Sequence, residues 1–156
     1  MNWTAVFSEL PGEISVASGR YPVRGKPVAL TAIESPIYAV GTVRDHVAPW
    51  RSVHKLHLLT NVDTTFVLTS GGHNVGIVNP PGVPGRSFQA LTRPHDGRYL
   101  DPEAWLQAAP HHEGSWWPHW VQWLQAHSGP GCAPPPMGAP DAGLVPLCDA
   151  PGTYVV

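Results

Sequence analysis

Asp45 and His73 are the two side chains of this sequence best placed to move a proton. A carboxylate that accepts from one imidazole nitrogen fixes the tautomer of the ring and stabilises its imidazolium form. The other nitrogen can then take a proton from a nucleophile. Each residue lies just past a stretch that reads as a β-strand, with a helical pattern between them. The acid comes before the histidine, as in hydrolase-type triads whose order is nucleophile, acid, histidine. His46 stands beside the acid and reads as a neighbour of the site, because no role there requires it. Spacing alone leaves a plainer reading open, with Asp45 capping a helix and His73 an ordinary loop histidine, since strand–loop–helix units are common.

The elements that must position these residues can be read on either side of them. Thr64-Thr65-Phe66-Val67-Leu68-Thr69 is β-branched and aromatic, and Ser70-Gly71-Gly72-His73 follows at once. Functional loops of α/β sheets sit at the carboxyl ends of such strands, and the glycines let the backbone turn sharply. Ile37-Tyr38-Ala39-Val40-Gly41 reads as a buried strand, opened by Pro36, where a missing N–H is harmless. Pro49 then starts a helix. Trp50, Val53, Leu56 and Leu59 form its apolar face, Arg51, His54, Lys55 and His57 its polar one, and Asn61 closes it. That helix is the expected crossover between two parallel strands.

The flanking chain is less regular. Residues 1–22 are poorly defined: Trp3-Thr4-Ala5-Val6-Phe7 fits a strand or a helical turn, and Pro11-Gly12 breaks it. Arg24-Gly25-Lys26-Pro27 reads as a turn between short extended segments. Ser87-Phe88-Gln89-Ala90-Leu91 reads as a short strand. Asp101 before Pro102 marks a helix carrying Ala104, Trp105, Leu106 and Ala108. Ser115 caps another, with Trp116, Trp117, Trp120, Trp123 and Leu124 on a thick apolar face, ended by Gly129. Residues 23–129 thus form the expected α/β domain, and residues 130–156 a Pro/Gly-rich tail draped on a surface.

Composition narrows the function classes. The 156 residues suit one modest domain, and 42% hydrophobic content permits a core. Charged residues make up 13%, about half the usual share. With a net charge of -2 and no Lys/Arg cluster, nucleic acid is not the expected partner. No apolar run approaches the roughly 20 residues of a membrane span, and residues 1–10 lack the pattern of a secretory signal. Cys132 and Cys148 lie in the tail without a C-x-x-C spacing, and free thiols are favoured over a disulfide. His111, His112, Glu113 and His119 cluster in sequence. Adjacent histidines diverge, however, and no H-E-x-x-H is present, so no metal site is expected. The tryptophans are read as packing residues.

Longer motifs carry a resemblance. Gly41-Thr42-Val43-Arg44-Asp45-His46-Val47-Ala48-Pro49-Trp50-Arg51-Ser52-Val53 resembles the acid loop of polyhydroxyalkanoate synthases. Ser70-Gly71-Gly72-His73-Asn74-Val75-Gly76-Ile77-Val78-Asn79-Pro80-Pro81 resembles their histidine loop. Gly114-Ser115-Trp116-Trp117-Pro118-His119-Trp120 and Ala150-Pro151-Gly152-Thr153-Tyr154-Val155 resemble their carboxyl-terminal signatures. The four motifs occur in order, and the similarity runs from about Val23 onward.

The resemblance implies the carboxyl-terminal part of an α/β-hydrolase-type doubly wound sheet with helical additions. It also implies transfer of hydroxyacyl groups from coenzyme A to a growing polyester, with no cofactor beyond the hydroxyacyl-CoA substrate. His73 matches the family's base, Asp45 the acid that helps activate the incoming hydroxyl, and His46 the histidine beside that acid. The family's nucleophile is a cysteine in an upstream Gly-x-Cys-x-Gly elbow, and these 156 residues contain neither that pattern nor Gly-x-Ser-x-Gly. The expectation is a fragment or degenerate copy that is inactive alone. Its expected location is the cytoplasm or the polyester granule surface, and its expected partners are another copy or a full-length synthase. An esterase, thioesterase or depolymerase using the same pair, or a non-catalytic binder of synthase or granule, are the alternatives.

Overall fold

The computed structural model describes residue 19 and residues 21–153. The expected strand or turn at residues 3–7, its break at Pro11-Gly12, and Tyr154 and Val155 of the last motif lie outside them. Two compact units are present, residues 1–124 and residues 125–156.

Among the described residues, the first element of the first unit is a hairpin, β1 (Tyr21–Val23) and β2 (Lys26–Val28), joined by the tight turn at Arg24-Gly25. A four-stranded sheet follows, made of β3 (Ile37–Thr42), β4 (Thr64–Thr69), β5 (Ser87–Arg93) and β6 (His111–Glu113), in that order across the sheet. β3 and β4 are parallel, with Ile37 opposite Thr64 and Thr42 opposite Thr69. β5 runs antiparallel to β4, and β6 antiparallel to β5. The chain is therefore an α/β structure with a mixed sheet.

Strand alternation divides the core into two clusters, one on each face of the sheet. Phe66 and Leu68 of β4 meet Trp50, Trp105 and Ala109 on one face. Val67, Phe88 and Ala90 meet Trp116 on the other. Every residue of β4 is buried, as a run without polar alternation requires. β3 is an edge strand among the described residues. Its first four residues are only half-buried, so the strand is less covered than its apolar sequence suggests.

The first face is covered by α1 (Trp50–His54), α2 (Leu56–Leu59) and α3 (Pro102–Ala108). Where one helix was expected from Pro49 to Asn61, the chain makes two short ones that meet at Lys55. The buried stripe also differs. Trp50, Val53, His54 and His57 point inward, and Leu58 is exposed. These four positions have the i, i+3, i+4, i+7 spacing of a helix face. The apolar series Trp50, Val53, Leu56, Leu59 advances by three and drifts around the helix. His54 and His57 thus belong to the core. They sit edge-on among aromatic rings, His54 against Phe66 at 5.2 Å and Trp105 at 5.8 Å between centroids.

α3 starts where Asp101 places it. The carboxylate accepts from Glu103 N at 3.0 Å and Ala104 N at 2.9 Å. Its far end is tied to the sheet by Gln89, whose side-chain amide donates to Leu106 O and Ala109 O, both at 2.9 Å. α4 (Trp117–Ala126) follows a turn in which Ser115 Oγ accepts from Trp117 N at 3.1 Å. Its apolar face is less covered than expected, for Trp120, Val121 and Leu124 are exposed. Of the tryptophans in this segment it is Trp116, just before the helix, that is buried in the core.

The second unit contains a 3₁₀ turn at Pro140–Ala142 and a single bridge between Ala139 and Leu144. Both cysteines lie here, free and exposed. Among the described residues no helix is long and apolar enough to cross a membrane.

Candidate functional site: an aspartate–histidine pair at the ends of parallel strands

β3 and β4 end side by side, and their two following loops meet. Val43 N donates to Thr69 O at 3.0 Å and Arg44 N to Gly71 O at 2.9 Å, so the parallel ladder continues past both strands. Gly71 then turns the chain at φ +112°, a conformation that excludes ordinary side chains. Residues 72–78 form one tight turn, with Gly76 N bonded to Gly72 O and Val78 N to Asn74 O. His73 stands at the start of that turn.

Asp45 faces it across the gap. His73 Nδ1 and Asp45 Oδ2 are 2.9 Å apart. The other oxygen, Oδ1, accepts from Val47 N at 2.9 Å and Ala48 N at 2.8 Å. The Asp45 side chain is 7% exposed and that of His73 50%. Burial raises the carboxyl pKa, but the hydrogen bonds from Ala48, His73 and Val47 outweigh it and bring it down to about 2. Asp45 is therefore ionised at neutral pH and can only accept, so Nδ1 carries the proton. Nε2 of neutral His73 then presents a lone pair on a half-exposed ring. That is the arrangement of a general base with its orienting acid.

The remaining sequence candidates fall elsewhere. His46 is exposed beside the acid. His111 and His112 are neighbours on β6 and so point to opposite faces. His112 stacks on Phe88 at 4.8 Å, and His111 Nδ1 lies 3.7 Å from Glu113 Oε1. His119 Nδ1 is 2.8 Å from the Tyr38 hydroxyl. Burial pushes the Tyr38 phenol up, which keeps it protonated beside that nitrogen. Among the described residues no group of three or more His, Cys, Asp or Glu side chains could hold a metal ion.

No protein-family model matches the chain. Individual proteins do. The sequence is 42% identical over 135 residues to poly(3-hydroxyalkanoate) polymerase 2 of Ectopseudomonas oleovorans, covering 86% of this chain and 23% of the polymerase. The chain is a relative of the poly(3-hydroxyalkanoate) polymerases. It is also 35% identical over 153 residues to the polymerase subunit of Cupriavidus necator, covering 98% of this chain and 25% of that one. A third relative, the polymerase subunit of Rhizobium etli, is 40% identical over 133 residues, with 85% and 20% covered. The chain thus spans about a quarter or less of the length of the curated relatives it matches, and resembles their carboxyl-terminal portion.

One contribution to the site escaped the sequence reading. Ser115, Trp116 and Trp117 were read as a cap and packing residues, yet all three hydrogen-bond to the histidine loop. Their occurrence beside Pro118 in one motif was the available signal. Nothing in that motif named its target.

Proposed function

We propose that this chain is the acid–histidine half of an acyl-transfer site of the polyhydroxyalkanoate synthase kind, built on an α/β-hydrolase-type sheet. The observation that carries this reading is the 2.9 Å contact between His73 Nδ1 and Asp45 Oδ2 at the ends of adjacent parallel strands. His73 Nε2 takes the proton of a thiol. The resulting thiolate adds to the carbonyl carbon of a hydroxyacyl thioester, and the coenzyme A thiolate leaves and is reprotonated by the imidazolium. Asp45 orients the ring throughout. Its Oδ1 already accepts two backbone hydrogen bonds and its Oδ2 accepts one from the imidazole, which favours an orienting role over direct capture of a hydroxyl proton.

The nucleophile is the missing part. No Gly-x-Cys-x-Gly or Gly-x-Ser-x-Gly occurs in the sequence. A triad without its nucleophile retains only the catalysis of binding and an oxyanion hole, roughly 10³–10⁴-fold over water. The oxyanion-hole loop that the family carries further upstream has no counterpart in these 156 residues either, so that remainder should be lost too. The purified chain should therefore release no coenzyme A from a 3-hydroxyacyl-CoA above background, and should not cleave a chromogenic ester. Turnover that disappears in a Cys132→Ala/Cys148→Ala variant would show that a tail cysteine serves as nucleophile. Turnover that survives it but is lost in His73→Ala would replace the synthase reading with a hydrolase that activates water.

A further inference from the structure

Three consecutive side chains each donate to a backbone carbonyl of the loop that carries His73. Trp116 Nε1 donates to Gly76 O at 3.0 Å and Trp117 Nε1 to Ile77 O at 3.0 Å. Ser115 Oγ donates to Asn79 O. Asn79 itself is fully buried and reaches back to Thr69 Oγ1 at 3.4 Å with its side-chain amide. The turn at 72–78 stops after Val78, so its last carbonyls have no further helical N–H to accept. The segment 115–117 supplies donors in their place.

Both sides of this contact are packed against the rest of the unit. Trp116 is anchored by packing against Val67, Phe88 and Ala90 of the sheet, with Tyr38 stacked at 6.3 Å. On the opposite side Gly76 presses against the acid loop. A β-carbon at Gly76 would lie 2.5 Å from Thr42 Cγ2. Thr42 O in turn accepts from Asp45 N at 3.3 Å. Gly76 is therefore the point where the histidine loop abuts the chain that leads to the acid, and Trp116 holds it there.

We infer that Ser115, Trp116 and Trp117 are positioning residues for His73, clamping the turn at 72–78 so that its ring meets Asp45. The clamp acts on the pair itself and does not depend on which nucleophile the histidine serves. It assigns a purpose to two indole N–H groups that packing alone leaves unused, since the apolar contacts of the rings need no donor.

The test separates positioning from stability. Trp117→Phe keeps a half-buried ring and removes one donor. Trp116→Phe does the same in the core. Leu91→Ala, which removes a side chain packed on the opposite face of the sheet, serves as a destabilised control. In each variant the His73 Nδ1–H exchange rate and the Asp45 carboxyl titration are followed by NMR at a temperature where the protein is folded. Loss of one clamp bond should speed His73 N–H exchange about tenfold, the effect of losing one hydrogen bond, and should raise the Asp45 pKa. Leu91→Ala should change neither while lowering the melting temperature. Gly76→Ala keeps all three donors but forces the loops apart, and should reproduce the clamp variants. The inference is overturned if Trp117→Phe leaves exchange and titration at wild-type values, or if Leu91→Ala shifts them equally. Should Trp116→Phe fail to fold, Trp117→Phe and Gly76→Ala decide.

Discussion

Asp45 gathers three hydrogen bonds on two oxygens, and the two buried histidines of α1 and α2 gather almost none. The contrast sets two different responses to acid. Asp45 is held down to about 2 by its donors. A carboxylate with a lowered folded pKa stabilises the fold fully above its unfolded value near 4, and that stability is lost as pH falls through about 2. Burial, with help from His54 and Arg93, pushes His57 down to about 4. The unfolded chain takes up that proton near 6.5 and the folded one resists it. Stability should therefore fall as pH drops from about 6.5 to about 4. Burial lowers His54 as well, opposed by Asp101. Denaturant midpoints for the wild type and His57→Phe at pH 7 and pH 4.5 check this, since the variant should lose most of the difference. Equal pH dependence in both would show that the histidine is not buried neutral. Sequence reasoning found Asp45 and His73 because each follows a strand and a turn. It misplaced His54 and His57 because it scored histidine as polar, whereas a neutral imidazole edge-on to Phe66 and Trp105 packs as an aromatic ring.

Among the elements, α3 tests how a short helix is docked. Its start was legible from Asp101 and Pro102, because a capping carboxylate and a ring at the first turn need no tertiary context. Its end was not, since it depends on Gln89 reaching across from β5. Replacing Gln89 by leucine keeps the volume and strands the carbonyls of Leu106 and Ala109. It should cost about 1–2 kcal/mol in urea unfolding, and a variant as stable as wild type would show that water satisfies both. β6 was invisible for a related reason. His111-His112-Glu113 has no strand pattern of its own, and pairs because β5 offers an edge with Phe88 exposed to the stacking ring of His112. The exposed Arg51–Glu103 pair, at 2.6 Å, links α1 to α3. Both partners are exposed, so solvent screening leaves this bond little weight in the stability of the fold.

At the scale of the molecule, the first unit presents more apolar surface than its sequence patterns anticipated. β3 reads as an interior strand on both faces, yet stands at an edge among the described residues. Trp120, Val121 and Leu124 leave α4 partly bare. The relatives are at least four times longer than the matched region. The α/β class and the contact between Asp45 and His73 were readable because they depend on neighbouring strands of one local unit. The edge position of β3 was not, because strand order is set by pairing partners far along the chain and not by the residues of the strand itself. The role proposed for His73 is that of the base of an acyl transfer once a nucleophile is supplied. A chimera tests this most directly: the Ectopseudomonas oleovorans polymerase 2 with its matched 135-residue region replaced by that of this chain, assayed for coenzyme A release from a 3-hydroxyacyl-CoA. The chimera should turn over, and His73→Ala should lower that turnover at least about 10³-fold. A folded chimera that turns over equally well with His73→Ala, or one that is folded and inactive with His73 in place, would contradict that role.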